Sequence, residues 1–199
     1  MTTGKRDKLN NRTNGGYSLI ELLVVVAIMS VLLGVTSLSV SLAFSKDAAR
    51  CASRLNDAIT ETRTLAMTKE WDYALKIYKN SGMYVAEMIG TAEVKQLDGS
   101  IVVEPKENIA IDLEGDDKKR IEKIVCSGDG ITPFEISDSA YVVLRFNKTK
   151  GNVEEYEVSG TKIKNDIVMT FDVTPVRGKT RTSKVSLVTG TGKHTIGDF

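Results

Sequence analysis

The chain has 199 residues, with 27 basic and 26 acidic side chains and a formal net charge of +1. That balance excludes a whole-protein polyanion-binding footprint, and two cysteines are too few for a disulfide scaffold. One histidine beside two cysteines also excludes an ordinary zinc site. The charge is unevenly placed. Lys5, Arg6, Lys8 and Arg12 stand against Asp7 in residues 1–16, so the remainder of the chain carries −2. This opening stretch is rich in Thr, Asn and Gly and has no apolar periodicity, the composition of an unfolded leader.

From Tyr17 the sequence reads as a helix. Between Leu22 and Phe44 there is no ionisable side chain. Those residues would span ~35 Å as a helix, enough for a ~30 Å hydrocarbon core with some tilt. The basic flank predicts that the leader stays cytoplasmic and the following domain lies outside. Gly34, Thr36, Ser37, Ser39 and Ser41 weaken the helix locally, and the first proline is Pro105, so no proline kinks it. Glu21 is the anomaly, because a carboxylate at the start of an apolar span is costly without a partner. A secretory signal peptide cut near Ser39-Val40-Ser41 is an alternative, but its apolar core would be shorter. A lipid anchor at Cys51 is disfavoured by Arg50, where a small residue is needed.

Gly16-Tyr17-Ser18-Leu19-Ile20-Glu21, set between a basic leader and an uninterrupted apolar run, resembles the N-terminus of a type IV prepilin or type II secretion pseudopilin. The resemblance implies that a prepilin peptidase cuts after Gly16 and that the new amine of Tyr17 is methylated. It implies that Glu21 is the acidic assembly residue. The implied partners are other pilins or pseudopilins and an inner-membrane assembly platform. Tyr17 stands where the family usually has Phe, which preserves the aromatic ring.

Beyond Ser45 the helical order continues in a polar context. Ala48, Cys51, Ala52, Leu55, Ala58, Ile59, Thr62, Leu65 and Ala66 recur at three- and four-residue steps, predicting an amphipathic helix that ends near Trp71-Asp72. The period then changes to two. Strands are predicted at 73–78, 83–89, 93–97, 101–104, 109–113, 121–126, 141–146, 153–158, 167–173 and 184–188, separated by glycine-bearing turns. Residues 114–140 otherwise read as loops. The predicted architecture is α+β: a leader at 1–16, a transmembrane helix at 17–44, an amphipathic helix at 45–71, and an antiparallel β domain at 72–199. The Tyr-Ala-Leu-Lys-Ile strand, Leu144-Arg145-Phe146 leading to Gly151, and the late Val-Ser-Leu-Val-Thr-Gly resemble the minor pseudopilins of the H/FimT type.

No catalytic constellation is legible. His194 has no nucleophile elbow to serve and reads as a surface residue. Gly190-Thr191-Gly192-Lys193 fails as a phosphate loop, because Leu187 takes the first glycine position and His194 the hydroxyl position. Asp116, Asp117 and Asp129 read as solvated turn residues rather than a calcium loop. No cofactor or metal is implied. Cys51 and Cys126 are a candidate disulfide only if the domain faces an oxidising compartment. Arg177, Lys179, Arg181 and Lys184 crowd the C-terminal region, and alternate residues of a strand would present three cations together. A solvated strand edge that charge protects from aggregation explains them better than DNA does, since no aromatic residue is interleaved to stack bases. The expectation is a non-enzymatic minor subunit of a type IV pilus or type II secretion filament, with a DNA-binding subunit of an uptake pilus as the alternative.

Overall fold

The computed structural model describes residues 18–115, 119–177 and 182–198, leaving aside the side chains of 35–45 and 198. The chain divides into two units, residues 1–40 and 41–199. A single helix, α1 (Leu19–Thr68), contributes its N-terminal part to the first and its C-terminal part to the second. Eleven strands follow among the described residues: β1 (Asp72–Asn80), β2 (Met83–Lys95), β3 (Ile101–Asp112), β4 (Ile121–Gly128), β5 (Ile131–Glu135), β6 (Val142–Phe146), β7 (Val153–Val158), β8 (Thr161–Ile163), β9 (Val168–Pro175), β10 (Ser183–Val188) and β11 (Lys193–Asp198). They form two antiparallel sheets, A in the order β3-β2-β1-β6-β7-β8 and B in the order β11-β10-β9-β4-β5.

The amphipathic part of α1 supplies one side of the core. Ala48, Cys51, Ala52, Leu55, Ala58, Ile59, Thr62 and Ala66 are all buried, the stripe that the three- and four-residue spacing predicts. Thr62 is tolerated there because its hydroxyl donates to the Ala58 carbonyl at 2.7 Å. Both sheets turn alternate residues into the same core: Tyr73, Leu75 and Ile77 from β1, Met169, Phe171 and Val173 from β9, Val185 and Leu187 from β10. The helix ends at Thr68, three residues before the predicted boundary. Lys148 holds the exit, donating to the Glu70 carbonyl at 2.6 Å and pairing with Asp72 at 3.1 Å.

Two arginines on α1 fasten loops to it. Arg54 Nη1 donates to the Asp112 carbonyl at 3.1 Å, and Arg63 Nη1 donates to the Gly192 carbonyl at 3.2 Å. Both loops need glycine. Gly115 has φ +73° and a Cβ there would strike the Arg54 guanidinium; Gly192 has φ +67° and a Cβ would strike the Gly151 carbonyl.

The strands differ from expectation in definite places. The segments predicted at 83–89 and 93–97 are one strand, β2, and those at 101–104 and 109–113 are one strand, β3. Gly90 marks a register shift at Gly90/Thr91 instead of a turn, and its bare Cα lies against the Tyr73 ring. β5, β8 and β11 were not predicted; β4 falls on the strand predicted at 121–126, and β5 lies in the remainder of the 114–140 stretch read as loops. The single β domain is built from two sheets.

Glu114, in that supposed loop, is buried and accepts three main-chain hydrogen bonds: from Tyr84 N at 3.2 Å, from Ile121 N at 3.0 Å, and from Arg120 N. It closes the β3–β4 connection onto β2. Glu114→Ala strands those amides, and each buried unsatisfied donor costs about 1–3 kcal/mol. Denaturant unfolding of the full chain should show a loss on that scale for Glu114→Ala and a smaller one for Glu114→Gln.

Two tyrosines give the fold an alkaline limit. Tyr73 donates to Glu107 Oε2 at 2.5 Å, while the Tyr84 oxygen accepts the Ile124 N–H at 3.2 Å. Burial, then the Glu107 contact, pushes Tyr73 up to about 12; burial, with Glu135 and Glu114 adding to it, pushes Tyr84 up to about 12. The folded state therefore favours the neutral phenols. That contribution is complete below pH ~10 and is lost as pH rises from ~10 to ~12. Stability measured across that interval should fall, and the fall should be shallower in Tyr73→Phe and Tyr84→Phe.

Candidate processing and assembly segment

The start of α1 has a defined geometry. Leu22 N donates to the Ser18 carbonyl at 3.1 Å, so Ser18 occupies the N-cap and Leu19 the first helical position. Glu21 is then the third helical residue. Ser18-Leu19-Ile20-Glu21 has the S-x-x-E spacing of a capping box, in which the serine and the acid each serve a free amide at the helix end. The four unsatisfied N–H groups and the positive end of the dipole also favour a carboxylate there. The spacing was visible in the sequence and was missed, because the anomaly of a charged residue beside an apolar run drew the reading instead. Gly16 and Tyr17 lie outside the described residues.

The helix that follows has no apolar stripe in this part. Every residue from Leu19 to Gly34 is exposed, including Leu19 at 83%, Val31 at 67% and Leu33 at 69%. A helix apolar on all sides has no polar face for water, so its surface requires lipid or other helices. Among the described residues no helix is long and apolar enough to cross a membrane. The span predicted at 22–44 continues into residues 35–45, whose side chains are outside that description.

The other predicted site residues are described only in part. Lys179 and Arg181 lie outside the described residues. Arg177 is exposed, but it stands beyond the end of β9 at Pro175, so strand alternation does not set it on a face with them. Lys184, on β10, faces Asp172 across the β9 pairing and forms an ion pair with it at 3.4 Å. Part of the expected DNA-binding charge is therefore engaged within sheet B.

Cys51 on α1 and Cys126 on β4 are both buried and unbridged. Burial raises the Cys51 thiol far above its ordinary range, with Glu114 adding to the effect; burial, then Asp172, pushes Cys126 up to about 12. Protonated and enclosed, neither is a ready nucleophile. His194 is half-buried, with Nε2 2.9 Å from Thr60 Oγ1 and Nδ1 3.0 Å from the Gly192 carbonyl. It fastens β11 to α1, and so differs from the free surface side chain that was expected. Among the described residues no group of three or more His, Cys, Asp or Glu side chains is placed to hold a metal ion.

No curated protein and no solved structure matched the chain. One family did. Residues 11–37 match the prokaryotic N-terminal methylation motif, a stretch that contains Gly16, Tyr17, Ser18 and Glu21 and the exposed apolar turns of α1. The N-terminal segment of this chain carries a type IV prepilin-like methylation motif.

Proposed function

We propose that the chain is a non-enzymatic minor pilin or pseudopilin, held in the inner membrane by residues 22–44 and assembled into a type IV pilus or type II secretion filament. The observation that carries this reading is the coincidence of the methylation motif at 11–37 with a helix exposing apolar side chains on all sides. In this reading a prepilin peptidase removes residues 1–16, and Tyr17 becomes the methylated N-terminus. Glu21 then does two things. In its own helix it completes the cap, and in assembly it meets the protonated amine of a neighbouring Tyr17. An α-amine titrates near ~7.7–8.0, so it is largely cationic at neutral pH. The dipole contributes only ~0.3–1 kcal/mol, against an insertion scale of ~2.5–3.5 kcal/mol for a centrally placed acid and less for one near the bilayer edge. An intermolecular cation supplies the remainder. The H/FimT-type character rests on the order of short strand motifs along the β domain.

Mass spectrometry of the membrane protein should find a methylated Tyr17 at the N-terminus. An intact Met1 start, or a start near Lys46, in cells holding the cognate peptidase overturns the reading.

Substitutions at the cap separate the two duties of Glu21. Gln fills the capping box as Glu does but carries no charge, whereas Ser18→Ala removes the cap and keeps the charge. Glu21→Val and Glu21→Gln should both be cleaved and inserted yet nearly absent from sheared filaments, while Ser18→Ala and Glu21→Asp should retain partial recruitment. Equal abundance of wild type and Glu21→Val in the filament fraction would show that the carboxylate is not an assembly contact.

A further inference from the structure

The β2–β3 hairpin outruns the sheet that carries it. Pairing of β1 with β2 ends at Asp72↔Thr91, yet β2 continues to Lys95 and pairs only with β3, from Ala92↔Glu104 to Lys95↔Ile101. The free end of this ribbon is aliphatic. Leu97 is 111% exposed, Ile101 63% and Val103 59%, large values for side chains that gain nothing from water. The turn is nevertheless rigid. Asp98 Oδ1 accepts from Ser100 N at 2.9 Å and Ser100 Oγ at 2.6 Å, Gln96 N donates to the Ser100 carbonyl, Gly99 N donates to the Gln96 carbonyl, and Gly99 takes φ +84°. These main-chain groups are satisfied within the turn, so the tip can enter an apolar site without losing hydrogen bonds.

A site of matching character lies on the outer face of sheet A. Ala74, Ile89 and Val143 are joined by the cross-strand pairs Ala74↔Ile89 and Lys76↔Val143. They floor an open cleft of about 230 Å³, also lined by Lys76, Thr91, Tyr141, Arg145 and Glu157. A cavity of roughly 150 Å³ accommodates a benzene ring, so this one has room for a leucine side chain. Its cations are presented by the fold. The Lys76 ammonium lies 4.7 Å and 5.0 Å from the ring centroids of Tyr78 and Tyr141, and Tyr141 is itself fixed by a 2.9 Å hydrogen bond to Glu157. Arg145 stands opposite, 3.5 Å from Glu155.

We propose that the β2–β3 turn of one copy docks into this cleft on a second copy, Leu97 covering Ala74, Ile89 and Val143 while Asp98 meets Lys76 and Arg145. Charge favours this occupant. The tip places one acid, Asp98, beside its leading leucine, and the cleft places two cations beside its apolar floor against one acid, Glu157, which accepts from Tyr141. An anionic lipid surface is disfavoured as the tip's partner, since Glu93 and Asp98 outnumber Lys95. Strand addition along the β3 edge is blocked at Pro105, which has no N–H to donate. Tip and cleft are different surfaces of the same chain, so the contact is head-to-tail, the kind that propagates instead of closing as a pair. It goes beyond the filament reading, which concerns α1 alone.

The test uses full-length chains carrying two different tags, co-expressed in the same membranes. Leu97→Cys is placed on one and Ile89→Cys on the other; the native thiols are buried. Mild oxidation should give mixed-tag dimers well above those from either variant alone. Asp98→Lys on the tip chain should lower the yield by up to about fivefold, the factor an exposed ion pair carries, and Lys76→Glu on the cleft chain should restore it. Three results overturn the docking: no mixed-tag dimer above the single-variant background, Leu97→Cys dimerising with itself as readily, or a charge swap that restores nothing. If Glu21-dependent recovery in sheared filaments persists while the mixed dimer is absent, the docking falls and the filament reading stands.

Discussion

The burial of one face of α1 between Ala48 and Ala66 is the constraint on which the β domain depends. Eleven strands in two sheets have no shared edge, and what unites them is that Tyr73, Leu75 and Ile77 from one and Phe171, Val173 and Leu187 from the other reach the same helical stripe. Removing a leucine from the middle of such a stripe costs about 2–5 kcal/mol. The loops obey the same constraint. Arg54 and Arg63 leave the apolar face of α1 only far enough to bind carbonyls at Asp112 and Gly192, and the chain must come so close to do this that glycine is required on both sides. His194 adds a third tether through Thr60.

The same helix meets a different demand at its other end. From Leu19 to Gly34 no side is polar, and a helix of this kind is stable only where something apolar replaces water around all of it. The residue pattern therefore changes along the helix: a buried stripe from Ala48 to Ala66, and exposed apolar side chains on every side from Leu19 to Gly34. Glu21 stands at the beginning of the exposed part. Ser18 and the free amides of the first turn give it a local reason to exist, but a neutral glutamine serves that cap as well. The cap therefore accounts for the length and hydrogen-bonding end of the side chain, and not for its charge.

Legibility in the sequence followed the sharpness of contrast between the two sides of each element. The α1 stripe was readable because apolar and charged residues separate cleanly at 3.6-residue spacing, and β1 and β7 because they alternate. β2 and β3 were each broken in two, β2 around Gly90 and β3 around Pro105, whereas Gly90 admits the Tyr73 ring and the register shifts beside it. β5 and β11 are the two edges of sheet B, and edges carry what sequence reading counts against a strand: Pro133 in one, Lys193, His194 and Gly197 in the other. Sheet membership was beyond reach, because Leu75 finds Leu144 through pairing that no local pattern encodes. Glu114 was invisible for a related reason: its three amide donors come from β2 and from the start of β4, and only the folded chain assembles them.

Gly16, Tyr17 and Glu21 were legible as a motif because their meaning depends on neighbours in the chain and on nothing folded. The cationic cluster near the C-terminus was legible only as composition, and of its members Arg177 and Lys184 are the described ones. Lys184 meets Asp172 because the two are register partners on adjacent strands, an arrangement that makes the lysine part of the sheet's own cross-strand pairing. Arg177 follows Pro175 out of β9 and so leaves the alternation that would have aligned it with Lys179 and Arg181. Sheet B thus engages Lys184 on the face away from the core, across its own β9–β10 pairing. Sheet A instead holds Lys76 between two tyrosine rings above an apolar floor and extends a rigid aliphatic turn beyond its own boundary. A turn that leaves its aliphatic side chains in water and a cleft that fixes its cations beside an apolar floor thus belong to one sheet, and the association proposed for the β domain lies there.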